Sequence, residues 1–451
     1  MPEFAPNVVV KLTEDAAASV PYQDNAEQFL PFALKLSWDA VAATIPGITL
    51  SLQRAIRDVD PEALRAQIEE NAARNGSVGA SLTSFFVVPV PAELAEQVAA
   101  ILNSLPFVEF AYVESEVTLP VVNFADDPLV AGQGYFGPAP VGVDMISAWT
   151  APFADGAQVR FVDVEFGWQL DHEDLNDALN AGRLTQLPTG TQTTNANFID
   201  HGTAVLGIVM GQDNTIGVVG AVPAITAMVA PVLTPAGATE IAAVLGFLLT
   251  SADVPAGSIA LIEQQDANSR PVETDLLIRF AILELTRKGV IVVEASGNGA
   301  FDIDTHTSVF FGDTLNPDSG SFFETGAIIV TGASSALPHA RLNFTNHGKR
   351  IDCYAWGQNI LTARRTPNPL AGNLPYTTNF GGSSGASAIV AGVACVLQNV
   401  RRSTIGDFLS PAQMRDLLRD ATRNTAPTGA DVGRIGLMPN LLNLLDAVNS
   451  V

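Results

Sequence analysis

Five short apolar segments between residues 158 and 331 constrain the fold of this chain more than any other feature. They lie at residues 158–162, 225–232, 258–262, 290–294 and 327–331. Helix candidates alternate with them at residues 201–210, 239–250 and 275–287. Strands that are apolar on both faces need cover on both faces, and alternation with helices supplies it. The pattern predicts an α/β fold in which a parallel sheet is flanked by helices.

A serine between glycines opens a further small-residue apolar run near residue 384. The segment reads Gly382-Ser383-Ser384-Gly385-Ala386 and continues as a buried helix candidate. A serine hydroxyl is a poor nucleophile unless a base removes its proton. Backbone N–H groups at a helix start can hold a developing anion. The serine is therefore a candidate nucleophile if the chain supplies a base.

The order of the histidines decides which serine hydrolase fold is possible. The five histidines all precede Ser384, at positions 172, 201, 306, 339 and 347. The window around Ser383 fits the G-x-S-x-G elbow of α/β-hydrolases, but that fold needs its histidine after the serine. This excludes the esterase or lipase reading with Ser383 as nucleophile.

The opposite order, acid then histidine then serine, fits the chain. Asp163 ends the first apolar strand, His201 opens the first helix, and Ser384 opens the late one. This is the order of subtilisin-type triads. Two more blocks follow it, Leu170-Asp171-His172-Glu173-Asp174-Leu175 and Val292-Val293-Glu294-Ala295-Ser296-Gly297-Asn298-Gly299. On these blocks the chain resembles the subtilisin-like (subtilase, peptidase S8) family.

The resemblance implies a serine endopeptidase that hydrolyses peptide bonds through an Asp-His-Ser triad. Ser384 would attack the carbonyl, His201 would act as the base, and Asp163 would orient His201. Asn298 would stand in the oxyanion hole together with the Ser384 N–H. Glu165 is interpreted as a solvated neighbour of Asp163. The other four histidines are interpreted as loop or surface residues.

The N-terminal quarter predicts a separate small α+β domain. Strand candidates at residues 6–12, 85–90 and 108–117 enclose helix candidates at 61–73 and 94–105, whereas residues 14–50 are hard to interpret. The segment Leu105-Pro106-Phe107-Val108-Glu109 resembles the ferredoxin-like propeptide of subtilases. The resemblance implies a zymogen whose N-terminal domain acts as intramolecular chaperone and inhibitor. Expected boundaries are 1–118 for this domain, 119–142 for a linker and the start of the catalytic region, and 143–451 for the catalytic domain.

Two departures from the family pattern bear on substrate choice and on the nucleophile helix. The usual Gly-Thr-Ser-Met-Ala-x-Pro has Gly385 for methionine and Ala388 for proline. The strand that usually ends Ser-Leu-Gly ends here in Glu263-Gln264-Gln265. A bulky polar end there would reshape the first specificity pocket, so a substrate preference does not transfer.

The resemblance also implies a structural calcium site, although no cofactor is required. Asp174 falls where the family uses a carboxylate ligand, and the loop from Gln212 to Val218 contains Asn214 at a family ligand position. Calcium prefers six to eight oxygen ligands, which such a loop can supply. A solvated turn without an ion is the alternative interpretation.

Composition limits the partners and the compartment. A net charge of −24 disfavours nucleic acid and anionic membranes as partners, and no apolar stretch is expected to reach the length of a membrane span. Expected partners are a protein or peptide substrate and the chain's own N-terminal domain, in a monomer. The first residues lack a signal-peptide pattern, which favours the cytoplasm with secretion as the alternative. Cys353 and Cys395 are too few for a disulfide framework or a zinc site, and a bridge between them stays open.

Two further readings keep the same cleft. A catalytically silent pseudoprotease would bind peptides without turnover. Two departures from the family pattern leave that interpretation open: Asp163-Val164-Glu165 replaces the usual Asp-Thr/Ser-Gly, and the residues after Ser384 are altered. An esterase with the same triad is the other, since acyl transfer by itself does not distinguish amide from ester. The propeptide-like domain argues for peptide substrates.

Overall fold

The chain forms two compact units, Met1–Leu119 and Pro120–Val451. This computed structural model describes residues 7–45, 47–57, 59–75, 81–114, 122–306, 315–367 and 374–451. Residues 122–142, expected as linker and start of the catalytic region, belong to the second unit. Val130, Tyr135 and Phe136 from this segment are buried in its core.

The first unit is an antiparallel sheet with helices. Its elements are β1 (Asn7–Leu12), α1 (Glu14–Ser19), α2 (Phe32–Ala42), β2 (Gln53–Arg54), α3 (Pro61–Asn75), β3 (Phe85–Pro89), α4 (Ala95–Leu102) and β4 (Val108–Val113). The strand order is β2-β3-β1-β4. Val8, Val10 and Leu12 alternate along β1 and pack with Trp38 of α2 into one core. The predicted small α+β domain is confirmed.

The second unit contains the remaining elements. The helices are α5 (Met145–Ala148), α6 (Asn176–Asn180), α7 (Ala196–Met210), α8 (Ile241–Thr250), α9 (Leu276–Lys288), α10 (Gly382–Ile405), α11 (Pro411–Leu418) and α12 (Leu441–Leu445). The strands are β5 (Arg160–Glu165), β6 (Leu184–Gln186), β7 (Thr226–Pro231), β8 (Ile259–Ile262), β9 (Ile291–Ala295), β10 (Ile328–Ala333), β11 (Cys353–Trp356), β12 (Ile360–Ala363) and β13 (Tyr376–Phe380).

Seven parallel strands form the centre of the second unit. Their order is β11-β10-β9-β8-β5-β7-β6, and β12 pairs with β13 in a separate hairpin. One apolar cluster contains Phe161 and Leu261 together with residues of α7 and α10. The other contains Val162 and residues of α8 and α9. The two faces of the sheet are thus both covered, which confirms the predicted α/β architecture and explains the apolar strands.

Helix α10 is buried along most of its length, from Ser383 to Val400. It is 24 residues long and apolar enough to cross a membrane by length and composition, contrary to the expectation that no stretch reaches this length. Its apolar window is entirely buried inside the fold, as in the core helix of a globular unit. Its composition therefore reflects burial against the sheet.

Candidate active site

Ser384 lies in the first turn of α10, and glycine makes that position possible. Gly382 has φ of 77°, a left-handed conformation that favours glycine. A Cβ atom there would approach the Asn298 side-chain amide to 3.2 Å. Ser384 itself is 5% exposed, so its hydroxyl sits at the edge of the core. The turn brings the candidate nucleophile and Asn298 to one place.

The neighbouring Ser383 is engaged in structural contacts. Its Oγ accepts a hydrogen bond from the Gly297 N–H at 3.1 Å, and its own N–H donates to Asn298 Oδ1 at 3.0 Å. Ser383 is fully buried. These contacts make Ser383 the residue that holds α10 against the Asn298 loop, and they favour Ser384 over Ser383 as nucleophile.

The two departures from the family pattern in α10 fit their surroundings. A Cβ atom at Gly385 would collide with the Ile360 side chain, and Phe380 lies next to it. Ala388 is fully buried in the core that covers the sheet. Small residues are therefore what this packing requires, because β12 and β13 occupy the space that a larger side chain would take.

His201 occupies α7, and its acid partner is Glu165. Oε1 of Glu165 lies 2.8 Å from His201 Nδ1, and the imidazole side chain is 30% exposed. The Phe380 ring packs edge-on against the imidazole with 5.4 Å between centroids. Glu165 is only 2% exposed, so its interpretation as a solvated acid is wrong. The imidazole is oriented from one side by a carboxylate and from another by an aromatic ring.

Asp163, the acid assigned to the triad from the sequence, has a different partner. It is fully buried, and its Oδ2 accepts a hydrogen bond from Trp168 Nε1 at 2.7 Å. The sequence placed Asp163 at the end of its strand, whereas β5 runs two residues further, to Glu165. Side chains two residues apart share a face of the strand. Glu165 therefore lies on the same face as Asp163, closer to the carboxyl edge, and takes the contact with His201 that was expected of Asp163.

The pKa values of Asp163 and His201 lie above their usual ranges. Burial, and next the charge of Glu165, raise the pKa of Asp163 well above its ordinary value, against the Trp168 hydrogen bond and the charge of His201. Burial lowers the pKa of His201, but the carboxylates around it, Glu165 foremost, outweigh this and raise it to about 9. The neutral form of Asp163 avoids the cost of a buried charge.

Asn298 is held so that its amide group faces the start of α10. The side-chain Oδ1 of Asn298 accepts a hydrogen bond from the Ser383 backbone N–H. The backbone N–H of Asn298 donates to Gln265 Oε1 at 2.9 Å. Because Oδ1 already accepts a hydrogen bond, the Nδ2 group is the part of the amide that can donate to a bound substrate. This is the chemistry that an oxyanion hole needs.

Glu263 is a site residue whose role the sequence did not reveal. It follows β8 directly, is 5% exposed, and its Oε1 lies 2.9 Å from the Ser387 hydroxyl on α10. The sequence flagged it as a bulky end of a specificity strand. Its charge acts on His201, which the linear order of residues gives no sign of.

Two cavities lie near α7, and the imidazole of His201 lines one of them. One of about 330 Å³ is lined by His201, Arg364, Asn379 and Phe380 among others. A second of about 490 Å³ is lined by Trp168, Leu170, Gln192, Ile199 and Arg365 among others. Space for a chain of substrate residues is therefore available beside the candidate base.

The predicted calcium ligands lie together, with additional acids beside them. Asp174 Oδ2 accepts from the Val218 N–H at 3.0 Å. Asn214 Oδ1 accepts from Ile216 N–H at 3.1 Å within its own loop. Carboxylate oxygens of Asp126, Asp127 and Asp213 lie within 4.8 Å of one another in the same region. These three aspartates were not among the predicted ligands.

Buried oxygens without partners point into this acidic region. Among the described residues, Asp127 Oδ2 and Asp174 Oδ1 are buried and accept no hydrogen bond. Burial raises the pKa of Asp127 to about 6 and that of Asp174 to about 8. Calcium prefers oxygen ligands, carboxylates above all. Carboxylate oxygens that lack hydrogen-bond donors are therefore suitable ligands, and the residues present fit such an ion.

Three of the remaining histidines are buried. His172, His306 and His339 are each less than 10% exposed, with His172 Nε2 at 2.8 Å from the Pro375 carbonyl. All three lie in loops, as expected from the sequence, although they are buried rather than at the surface. Cys353 and Cys395 are both buried free thiols, so the bridge between them is absent.

Known proteins similar to this chain are serine proteases. The sequence model of the Subtilase family matches residues 164–435. An "Extracellular protease" of Xanthomonas campestris pv. campestris is 26% identical over 87% of this chain and 68% of its own length. An "Intracellular serine protease" of Paenibacillus polymyxa is 24% identical over 64% of this chain and 81% of its own.

A solved structure agrees on the fold. A protease from Pseudoalteromonas arctica PAMC 21717 matches with a TM-score of 0.51 at 18% identity. The match covers 72% of this chain and 99% of that one. The family match extends over more than half of the chain and over the strands, helices and loops that carry the site. The chain belongs to the subtilase family and is a subtilisin-like serine endopeptidase.

Proposed function

We propose that this endopeptidase cleaves peptide bonds with Ser384 as nucleophile, His201 as base and Glu165 as the acid that orients the base. The observation that carries the assignment of the acid is the 2.8 Å contact between Glu165 Oε1 and His201 Nδ1. The position of Ser384 in the first turn of a buried helix supports its role. Asp163 is assigned the supporting role of fixing Trp168.

The reaction follows from these positions. Ser384 Oγ attacks the scissile carbonyl while His201 Nε2 takes its proton, and His201 then returns the proton to the leaving amine. Glu165, whose Oε1 lies 2.8 Å from Nδ1, favours the tautomer with the proton on Nδ1 and stabilises the imidazolium. The Ser384 N–H and Asn298 Nδ2 donate to the oxyanion. Water then hydrolyses the acyl-enzyme by the same proton relay.

The N-terminal unit is proposed as an intramolecular chaperone and inhibitor of the same chain. Its support is the separate core of Met1–Leu119 and the resemblance of residues 105–113 to a subtilase propeptide. Cleavage between the two units would release the inhibitor and leave a monomeric enzyme. The relatives include an extracellular and an intracellular protease, so a compartment does not follow from them.

A structural calcium ion is proposed at the acidic region, with Asp127 and Asp174 as ligands beside Asp126 and Asp213. The unpartnered buried oxygens of Asp127 and Asp174 support it. Asn214 is assigned to the loop's own turn, because its Oδ1 already accepts from Ile216. Calcium binding would raise the unfolding temperature, and the rise would continue with the logarithm of the calcium concentration above the Kd. A thermal melt with calcium and with a chelator measures this, and identical melts would contradict it.

One experiment tests the proposed catalytic role of Ser384. The full chain, S384A and S383A are incubated with a fluorophosphonate probe and with a fluorogenic peptide, and intact mass is followed with time. We expect Ser384-dependent labelling and hydrolysis, with S383A retaining labelling because it keeps the nucleophile. Loss of labelling in S383A with persistence in S384A would reverse the assignment of the two serines.

The same experiment separates the alternatives. A pseudoprotease would bind the peptide without labelling or turnover, and the comparisons, which name proteases, give that reading no support. An esterase would hydrolyse an ester analogue while leaving the matched peptide intact. Self-cleavage in the wild-type chain, absent from S384A, would support the inhibitory role of the N-terminal unit.

A further inference from the structure

Glu263 is a buried acid that the mechanism above does not use. The register pairs Asp163 with Leu261 and Val164 with Ile262 on the neighbouring strand β8. One more step along the two parallel strands brings Glu263 beside Glu165. Leu261 belongs to the apolar cluster that includes α7 and α10. Since residues two apart share a face, Glu263 lies on the face of the sheet that carries His201 and Ser384.

Glu263 is connected to the nucleophile helix through one hydroxyl. Ser387 lies one turn after Ser384, and its Oγ lies 2.9 Å from Glu263 Oε1. The same Oγ lies 2.8 Å from the Ser383 carbonyl and 3.0 Å from the Ser384 carbonyl. A serine has a single proton to donate. It therefore serves one of these three acceptors at a time.

The protonation of Glu263 decides which acceptor receives that proton. A protonated Glu263 donates to Ser387 Oγ, which leaves the Ser387 proton for the backbone of the turn that holds Ser384. An ionised Glu263 draws the Ser387 proton to itself. The first turn of α10 then loses a hydrogen bond from a side chain.

The charge of Glu263 acts on the base as well. The charged groups that act on it are His201 from α7 and Asp163 and Glu165 from β5. Burial, together with the two acids of β5, raises the pKa of Glu263 well above its ordinary value, against the charge of His201 and the Ser387 hydrogen bond. Its Oε2 is buried and has no hydrogen-bond partner in the described parts of the chain. A negative charge on Glu263 is thus balanced mainly by the imidazolium.

We propose that Glu263 is a positioning residue that links the first turns of α10 to the charge on His201 and so sets the pH at which the site becomes active. The inference rests on the proposed roles of Ser384 and His201. Ionised Glu263 favours the protonated imidazole, which is inactive as a base. Neutral Glu263 no longer favours the protonated imidazole, and the Ser387 hydroxyl then donates to the backbone of α10.

The test is the pH dependence of fluorophosphonate labelling in the full chain. In E263Q the rise of the labelling rate with pH is expected to move to lower pH, by about one unit, because a neighbouring negative charge is gone. The glutamine amide still reaches Ser387, so E263Q restores most of the maximal rate that E263L loses. E263D keeps the charge but withdraws from Ser387, and we expect a lower maximal rate with little shift of the midpoint.

A matched control separates this role from simple stability. Glu294 on β9 is equally a fully buried acid, but the charged groups that act on it are Glu273, Arg350 and Arg279. E294Q is expected to lower the unfolding temperature without moving the midpoint of labelling. A midpoint shift of equal size in E294Q would overturn the proposal.

A second readout does not need an active enzyme. The imidazole of His201 is titrated by NMR in the S384A background, with and without E263Q. A lower titration midpoint in the E263Q variant supports the proposal, and coincident midpoints overturn it even if labelling fails. Absence of labelling in the wild-type chain would count against the proposed function instead, so the two failures are distinguishable.

Discussion

Two groups of acids in this enzyme differ in the number of cations that face them. At the candidate active site, Asp163, Glu165 and Glu263 surround the single imidazole of His201. On another part of the sheet, Arg350 is fully buried and contacts Glu273, Glu324 and Asp352 at 3.3, 3.5 and 2.8 Å. Arg415 adds a second cation to Glu324 and Asp352.

The difference shows in the protonation of the acids. Burial raises the pKa of Glu324, but the two arginines outweigh this and lower it to about 2. At the active site, by contrast, burial and like charge raise the pKa values of Asp163 and Glu263 well above normal. The arginines therefore keep Glu324 charged, whereas burial favours the neutral forms of Asp163 and Glu263 at the candidate active site.

Removing the acid that orients His201 is expected to have the largest effect. E165Q keeps the size and shape of the side chain but removes the negative charge that fixes the His201 tautomer and stabilises the imidazolium. The value of kcat/KM for a peptide should therefore fall by about 10³–10⁴-fold. D163N should lose less than about tenfold, because Asp163 contacts Trp168 and is neutral in the site. The pair is measured on one peptide substrate. Equal losses, or a larger loss in D163N, would return the triad to Asp163.

Removing the buried cation is expected to affect stability and to spare the pH dependence of the site. R350M leaves Glu273 buried without its ion-pair partner, while Asp352 keeps Arg415, and the change should cost about 3–5 kcal/mol of unfolding free energy. Denaturant unfolding measures the loss, and the midpoint of the labelling rate against pH should stay where it is. A shift of that midpoint would show that the two acid groups are coupled.

The smallest expected effect concerns acid stability at Glu324. Its pKa in the fold is lowered to about 2, so its stabilisation is present above its ordinary pKa near 4.5 and is lost as the pH falls from there towards 2. E324Q should flatten the acid side of a curve of unfolding temperature against pH. Because Glu324 is 43% exposed, the flattening will be small. If the unfolding temperature of E324Q falls at low pH as steeply as that of the wild type, Glu324 does not contribute to acid stability.

Most of the α/β architecture was predictable because its signals are local. Apolar strands and helix periodicity appear within ten residues, and they predicted five of the seven parallel strands, β5 and β7 to β10. The edge strands β6 and β11 and the hairpin of β12 and β13 were missed because they are only three to five residues long. Residues 14–50, which were hard to interpret, contain α1 and α2.

The site was harder to predict because it depends on where a strand ends. Asp163 and Glu165 occupy the same face of β5, and sequence alone does not say which one reaches His201. The resemblance favoured Asp163, and a strand two residues longer favoured Glu165. Glu263 stood out in the sequence as an unusual strand end, but its neighbours come from β5, α7 and α10, which the chain order keeps apart.

The proposed nucleophile is carried on a helix whose residues from Ser383 to Val400 are all buried. At Gly392, ten residues into the helix, an added methyl would collide with Ala221. A protein engineer therefore has little freedom inside α10, since a change of volume there displaces the reactive hydroxyl together with the interior. New substrate preferences are better sought in the walls of the cavities beside His201, where Arg364 and Arg365 can be exchanged without repacking the interior.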